Sequence, residues 1–186
     1  MTYKGEIIMK KLIIFRGAPG CGKSTIINKY NLKDYTLSAD ELRLMCQAPI
    51  TDENGVEGIS QKHNSFVWRM LFAILELRMS TGSLTVIDAT NSTTREIDRY
   101  IELCDKYDYK LYCIDMTNLP IEECKYRNAN RLPEYKRVPE FVIDRMYENF
   151  KNQPINNEKV KVVSLEDIEF ILKWFSIYKK FKIWYN

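Results

Sequence analysis

Histidine is almost missing from these 186 residues: His63 stands alone. A single imidazole excludes the multi-histidine metal centres. The five cysteines, Cys21, Cys46, Cys104, Cys113 and Cys124, contain no CxxC pair from which a zinc site would be built. An odd cysteine count without a secretory pattern implies reduced thiols in a cytoplasmic compartment, most of them small apolar core groups. Lys and Arg interrupt every apolar run well short of the roughly 18 residues a membrane helix needs, so a soluble protein without a membrane partner is expected. Strong charge of either sign is also lacking. Lys and Arg total 28 against 25 Asp and Glu, and a net +3 gives weak general attraction to phosphate-rich partners, so any nucleic-acid contact must be local.

What is present is enough apolar residue, 45%, for one substantial core in a single domain spanning 1–186. Met9 begins Met-Lys-Lys, which marks residues 1–8 as a possible extension. Lys11-Leu12-Ile13-Ile14-Phe15 is a nearly continuous apolar run, as expected of a buried parallel strand. Short apolar runs follow at 35–38, 84–87, 111–114 and 160–163, separated by stretches of helical period. That alternation predicts an α/β fold, a parallel central sheet with helices on both faces and ligands gathered at the strands' carboxyl ends. Ala48 to Ser60 is polar and turn-rich with no apolar period, and is expected to be an exposed loop bordering the site.

Directly after the first strand, Gly17-Ala18-Pro19-Gly20-Cys21-Gly22-Lys23-Ser24 satisfies G-x-x-x-x-G-K-S without a mismatch, and a helix-compatible run follows from Thr25. Glycines let successive backbone N–H groups point at phosphates, and the helix N-terminus adds partial positive charge. Lys23 is expected at the β- and γ-phosphates of ATP or another nucleoside triphosphate, Ser24 on Mg²⁺ and Thr25 near the α-phosphate.

A P-loop alone does not establish catalysis. Beyond the second strand, Ser38-Ala39-Asp40-Glu41-Leu42-Arg43 places a carboxylate and a guanidinium three apart on one helix face. Asp40 could take the proton of an acceptor hydroxyl, with Arg43 orienting the acceptor through a phosphate. In an arbitrary protein the same residues would be a helix N-cap and a solvated arginine. Asp88-Ala89-Thr90-Asn91 arrives at the same sheet edge, where Asp88 could act on Mg²⁺ through water and Thr90 and Asn91 could touch the acceptor; an Asx turn capping the next helix is the alternative for Asn91. Arg127 and Arg131 are four apart, so a helix ending at Pro133 would aim both at the transferring phosphoryl group as a lid, with Lys136 and Arg137 extending the charge. A solvated charged face is the other explanation.

Together, Gly-Ala-Pro-Gly-Cys-Gly-Lys-Ser, Ser-Ala-Asp-Glu-Leu-Arg, Asp-Ala-Thr-Asn and the Arg127/Arg131 lid, followed by Val138-Pro139 and Met146, resemble the phage-type polynucleotide 5′-hydroxyl kinases over residues 9–150. The resemblance implies a P-loop kinase fold, Asp40 as general base, Arg43 on the phosphate beside the acceptor nucleotide, and Arg127 and Arg131 as lid arginines. Its implied partners are the 5′-hydroxyl ends of RNA or DNA. It also implies a kinase module without the phosphatase or ligase of several members. A kinase of a small molecule or of aminoacyl-tRNA shares the donor machinery, and a nucleotide-dependent binding module would need no acceptor pair. Residues 165–186 interleave aromatic and basic side chains at a spacing that fits an amphipathic helix on the sheet or, alternatively, a stacking surface.

Overall fold

Lys11–Arg16 forms strand β1 and feeds both sides of the protein. Leu12 and Ile14 join one buried cluster, Ile13 and Phe15 another, as the two-residue period of a strand requires when both sheet faces are covered. The structure, a computed structural model, describes residues 10–164 together with Asp167, Ile168 and Ile171. The extension expected over 1–8, and the helix expected over 165–186 apart from those three residues, lie outside the described residues.

After β1 come helix α1 (Lys23–Lys29), strand β2 (Thr36–Ser38), helix α2 (Ala39–Cys46), the short strands β3 (Ile50–Thr51) and β4 (Glu57–Gly58), and helix α3 (Asn64–Ser80). Strand β5 (Thr85–Asp88), helix α4 (Thr94–Tyr107), strand β6 (Lys110–Asp115), helices α5 (Ile121–Ala129) and α6 (Glu140–Asn152) and strand β7 (Val160–Val163) complete the order. Each of the five expected apolar runs supplies one strand of a parallel sheet in the order β2-β5-β1-β6-β7. On one face Val67, Leu71, Leu75 and Met79 of α3 pack with Tyr100 and Cys104 of α4; on the other, Ile27 of α1, Cys124 of α5 and Ile143 and Phe150 of α6 cover the sheet. Four of the five cysteines are buried, and only Cys46 is exposed.

Local chemistry sets the helix ends. The Thr93 hydroxyl accepts from the Glu96 N–H at 3.3 Å while the Glu96 carboxylate accepts from the Thr93 N–H at 2.9 Å, a reciprocal cap that starts α4. At the far end of α6, the buried Arg16 donates to the Gln153 carbonyl at 2.6 Å and lies 5.3 Å from the centre of the Phe150 ring. A cation there matches the negative end of the helix.

The segment from Ala48 to Ser60 differs from expectation. It is exposed, but ordered as an antiparallel hairpin in which Ile50 faces Gly58 and Thr51 faces Glu57. The Asp52 carboxylate accepts from the N–H groups of Asn54 and Val56, both at 2.9 Å, and Gly55 takes the positive φ of +77° that the turn demands. A hairpin held by its own turn needs no apolar alternation, which is why periodicity does not reveal it. Strand β4 touches the 3-10 turn Glu134–Lys136 that follows α5.

Candidate active site

The loop between β1 and α1 turns on glycines. Gly20 and Gly22 have φ of +85° and +100°, left-handed values that side-chain-bearing residues rarely adopt. Gly22 caps α1 without any side-chain bond, which leaves the first N–H groups of that helix open to an anion. Lys23 folds over the loop, its ammonium donating to the carbonyls of Gly17 at 2.8 Å and Ala18 at 2.9 Å and lying 3.6 Å from the Cys21 sulfur. Ser24 and Thr25, at the start of α1, are exposed, whereas Ala18, Pro19 and Cys21 are buried, Cys21 against Met116. The Gly17 N–H donates to the Thr90 carbonyl at 3.1 Å, which ties the loop to the exit of β5.

Asp88 ends β5 opposite Ser38, the last residue of β2. Burial pushes its carboxyl above the usual aspartate range; Lys23 pulls it back, Asp40 and Glu41 push it further up, and Arg131 pulls it down. One carboxylate therefore feels charges from the phosphate loop, from the first turn of α2 and from the segment after α5. Those three segments converge on the carboxyl ends of β1, β2 and β5.

Ser38 caps α2, its hydroxyl accepting from the Glu41 N–H at 3.4 Å, so Asp40 is not the N-cap that composition alone would suggest. Instead Asp40 accepts from Arg43 Nη1 at 2.8 Å. The Asp40 side chain is 45% exposed and that of Arg43 only 12%, so the acid faces outward beside a largely buried arginine stem. Arg43 Nη2 donates to Oδ1 of Asn64, the first residue of α3. No sequence motif links Asn64 to Arg43 across the intervening chain.

Thr90 is half-buried at the cleft and contributes its carbonyl to Gly17. Asn91 lies elsewhere. It is 1% exposed, donates to the Phe15 carbonyl at 2.6 Å and accepts from the Tyr100 hydroxyl at 3.3 Å. Its side chain thus joins β1 to α4 inside the protein, and the cap of α4 falls to Thr93 instead.

Beyond β6, α5 lies over the phosphate loop. It ends at Ala129 with Asn130 as C-cap, so Arg131 is not on the same helix as Arg127, contrary to the four-residue spacing. The Asn130 side chain turns back to the Tyr126 carbonyl at 2.8 Å, and Pro133 follows too closely for helix to continue. Arg127 pairs with Glu123 at 2.6 Å on the exposed face of α5. Arg131 instead donates to the Lys136 carbonyl at 3.0 Å and contributes to the field at Asp88. The buried Asn128 amide makes two bonds to Val138, donating to its carbonyl at 2.8 Å and accepting from its N–H at 3.1 Å, which fixes the 131–138 segment to α5. Composition gives no hint of that clamp. Val138 is its target, Pro139 caps α6, and Met146 packs against the second core.

Among the described residues no group of three or more His, Cys, Asp or Glu side chains could hold a metal ion. Ser24 and Asp88 offer hard oxygens, which suits a cation such as Mg²⁺ that takes most of its shell from water and phosphate. Chemically the cleft offers a cradle for phosphates, cations around them and an exposed carboxylate at its rim.

The sequence pattern described as AAA domain matches residues 12–153. No curated protein matches the chain. Among solved structures, a chain of the Pnkp1/Rnl/Hen1 RNA repair complex is similar, with 21% identity and a TM-score of 0.64, over 85% of this chain and 49% of that one. The AvrRxo1-ORF1:-ORF2 structure with ATP has 23% identity and a TM-score of 0.57 over 85% and 55% of the two chains. A gluconokinase from Sinorhizobium meliloti 1021 has 13% identity and a TM-score of 0.50 over 84% and 83%. The chain thus spans about half the length of the first two.

Proposed function

The chain belongs to the AAA-domain family and has the P-loop kinase fold, which implies nucleotide binding, and on that premise we propose that it transfers the γ-phosphoryl group of ATP to the 5′-hydroxyl end of RNA or DNA, within one kinase domain. The observation that carries this is the Asp40–Arg43 pair, 2.8 Å apart, at the strand-end cleft shared with Asp88 and Lys23. A nucleotide switch has no need of an exposed carboxylate paired with an arginine there.

In this scheme residues Gly17 to Thr25 wrap the triphosphate and Lys23 neutralises its β- and γ-phosphates. Ser24 and Asp88 would hold Mg²⁺, which supplies further charge neutralisation when bound. Arg127 and Arg131 stabilise charge on the transferring group. Asp40 accepts the proton of the 5′-hydroxyl as its oxygen bonds to the γ-phosphorus and the bond to the leaving ADP breaks. Arg43 holds the phosphate next to the acceptor nucleoside, and Thr90 borders it. The similarity to an RNA repair chain is in keeping with this acceptor class.

A small alcohol as acceptor is the second reading, in keeping with the similarity in fold to a gluconokinase. The test is incubation with Mg²⁺ and γ-labelled ATP in the presence of matched RNA and DNA oligonucleotides bearing a 5′-hydroxyl or a 5′-phosphate, with Asp40→Ala alongside. Label confined to 5′-hydroxyl ends, and lost in the variant while ATP still binds, is the expected result. ATP binding without labelling of any oligonucleotide would reject the polynucleotide acceptor and direct the search to small alcohols.

A further inference from the structure

Arg43 is held from two sides. Nη1 meets Asp40 on its own helix, and Nη2 meets the Asn64 carboxamide oxygen at the start of α3. An arginine donor can be accepted only by the oxygen of an amide, so the orientation of Asn64 is fixed by chemistry. A single contact to Asp40 would leave the guanidinium free to swing about that carboxylate; a second anchor on another element removes the rotation. With one hydrogen used on each terminal nitrogen, one remains on each to donate to phosphate oxygens.

Asn64 has no other evident duty. It is exposed, it is not the N-cap of α3, which is His63, and its side chain makes this one hydrogen bond among the described residues. An exposed amide without a core or capping role contributes little to folding.

Resting on the acceptor chemistry proposed above, we infer that Asn64 is a positioning residue that sets the plane of the Arg43 guanidinium and thereby the affinity for the acceptor's phosphate. It acts through Arg43 and touches no reacting atom.

The test measures steady-state phosphorylation of a 5′-hydroxyl oligonucleotide by wild type, Asn64→Ala, Asn64→Asp, Arg43→Ala and the Asn64→Ala/Arg43→Ala double variant, with melting temperatures for each. Asn64→Ala is expected to raise the acceptor KM about tenfold, the loss of one hydrogen bond to a charged group, while the ATP KM and the melting temperature stay unchanged. Asn64→Asp, which keeps the accepting oxygen, is expected to restore most of the affinity. In the Arg43→Ala background the Asn64 change is expected to add nothing, because residues that act as one unit are not additive.

An unchanged acceptor KM in Asn64→Ala, or a penalty of full size on top of Arg43→Ala, would overturn the inference and leave the acceptor chemistry standing. A fall in melting temperature that accounts for the lost activity would overturn it likewise. If wild type labels no oligonucleotide at all, the acceptor assignment fails first and this inference falls with it.

Discussion

Gly20 lies against the backbone of Cys124: a Cβ on Gly20 would come within 2.2 Å of the Cys124 carbonyl oxygen and 3.2 Å of the Asn128 nitrogen. The phosphate loop and α5 are therefore in direct contact, backbone to backbone. Gly20→Ala is expected to force them apart and to strain a φ of +85° as well. Together these should cost about 3 kcal/mol or more in chemical denaturation. ATP binding is expected to be lost in the variant even below its unfolding transition. Normal stability with normal ATP affinity would show that the loop has room that this contact denies.

Asp88 gives a pH signature. Burial, with Asp40 and Glu41 adding to it, raises the carboxyl above its ordinary value, and Lys23 and Arg131 offset this only in part. A raised folded pKa favours folding at pH values below the unfolded pKa, and that advantage is lost as pH rises through the folded value. Above the unfolded pKa the group is thus a burden on the free protein. Asp88→Asn is expected to melt a few degrees above wild type near pH 7 and to converge with it as the wild-type carboxyl is protonated on acidification. Thermal melts across that range decide it, and a variant that melts lower at neutral pH would contradict the burial argument. Phosphoryl transfer is expected to fall in the same variant.

How far the sequence could be read depended on whether the information was local. The octapeptide from Gly17 to Ser24 and the five apolar runs are short-range patterns, and each forms the element it implies. Asp40 and Arg43 share one helix turn, so their contact follows from spacing alone. Arg127 and Arg131 show the limit: the same spacing argument fails because α5 stops at Ala129, where an asparagine cap and a nearby proline override helical continuity. The hairpin from Ile50 to Gly58 is exposed on both sides and held by Asp52, so no hydrophobic period announces it. Asn64 as the second partner of Arg43, Val138 as the partner of Asn128 and Phe15 as a partner of Asn91 lie 21, 10 and 76 residues away, and a single sequence carries no trace of such pairings.

The clamp between Asn128 and Val138 ties the 131–138 segment to α5. Asn128→Ala would leave the half-buried N–H and C=O of Val138 without partners, at an expected cost of about 1–3 kcal/mol. Asn128→Asp is expected to rescue little, since it keeps an acceptor for the Val138 N–H but turns a second carboxylate oxygen toward the Val138 carbonyl. Arg131 sits at the start of the segment that would loosen. In assays run below the unfolding transition, the KM for ATP is expected to rise in both variants; an unchanged KM with the stability loss intact would show that the 131–138 segment does not contribute to nucleotide affinity.

Asn91 tests whether a strand-end asparagine serves the acceptor or the fold. Its amide donates to Phe15 and its oxygen accepts from Tyr100, and its φ is +46°, a conformation that asparagine tolerates better than most residues. Asn91→Ala would orphan the buried Phe15 carbonyl and Tyr100 hydroxyl and place an alanine in left-handed backbone, a combined loss of about 2–4 kcal/mol. Asn91→Asp keeps the acceptor for Tyr100 but sets a carboxylate against the Phe15 carbonyl, and is expected to be at least as damaging. Because the side chain is enclosed, the acceptor KM of whatever fraction remains folded is expected to match wild type. A raised acceptor KM without a stability loss would mean that Asn91 reaches the cleft after all, and that the Phe15 and Tyr100 bonds give way when acceptor binds.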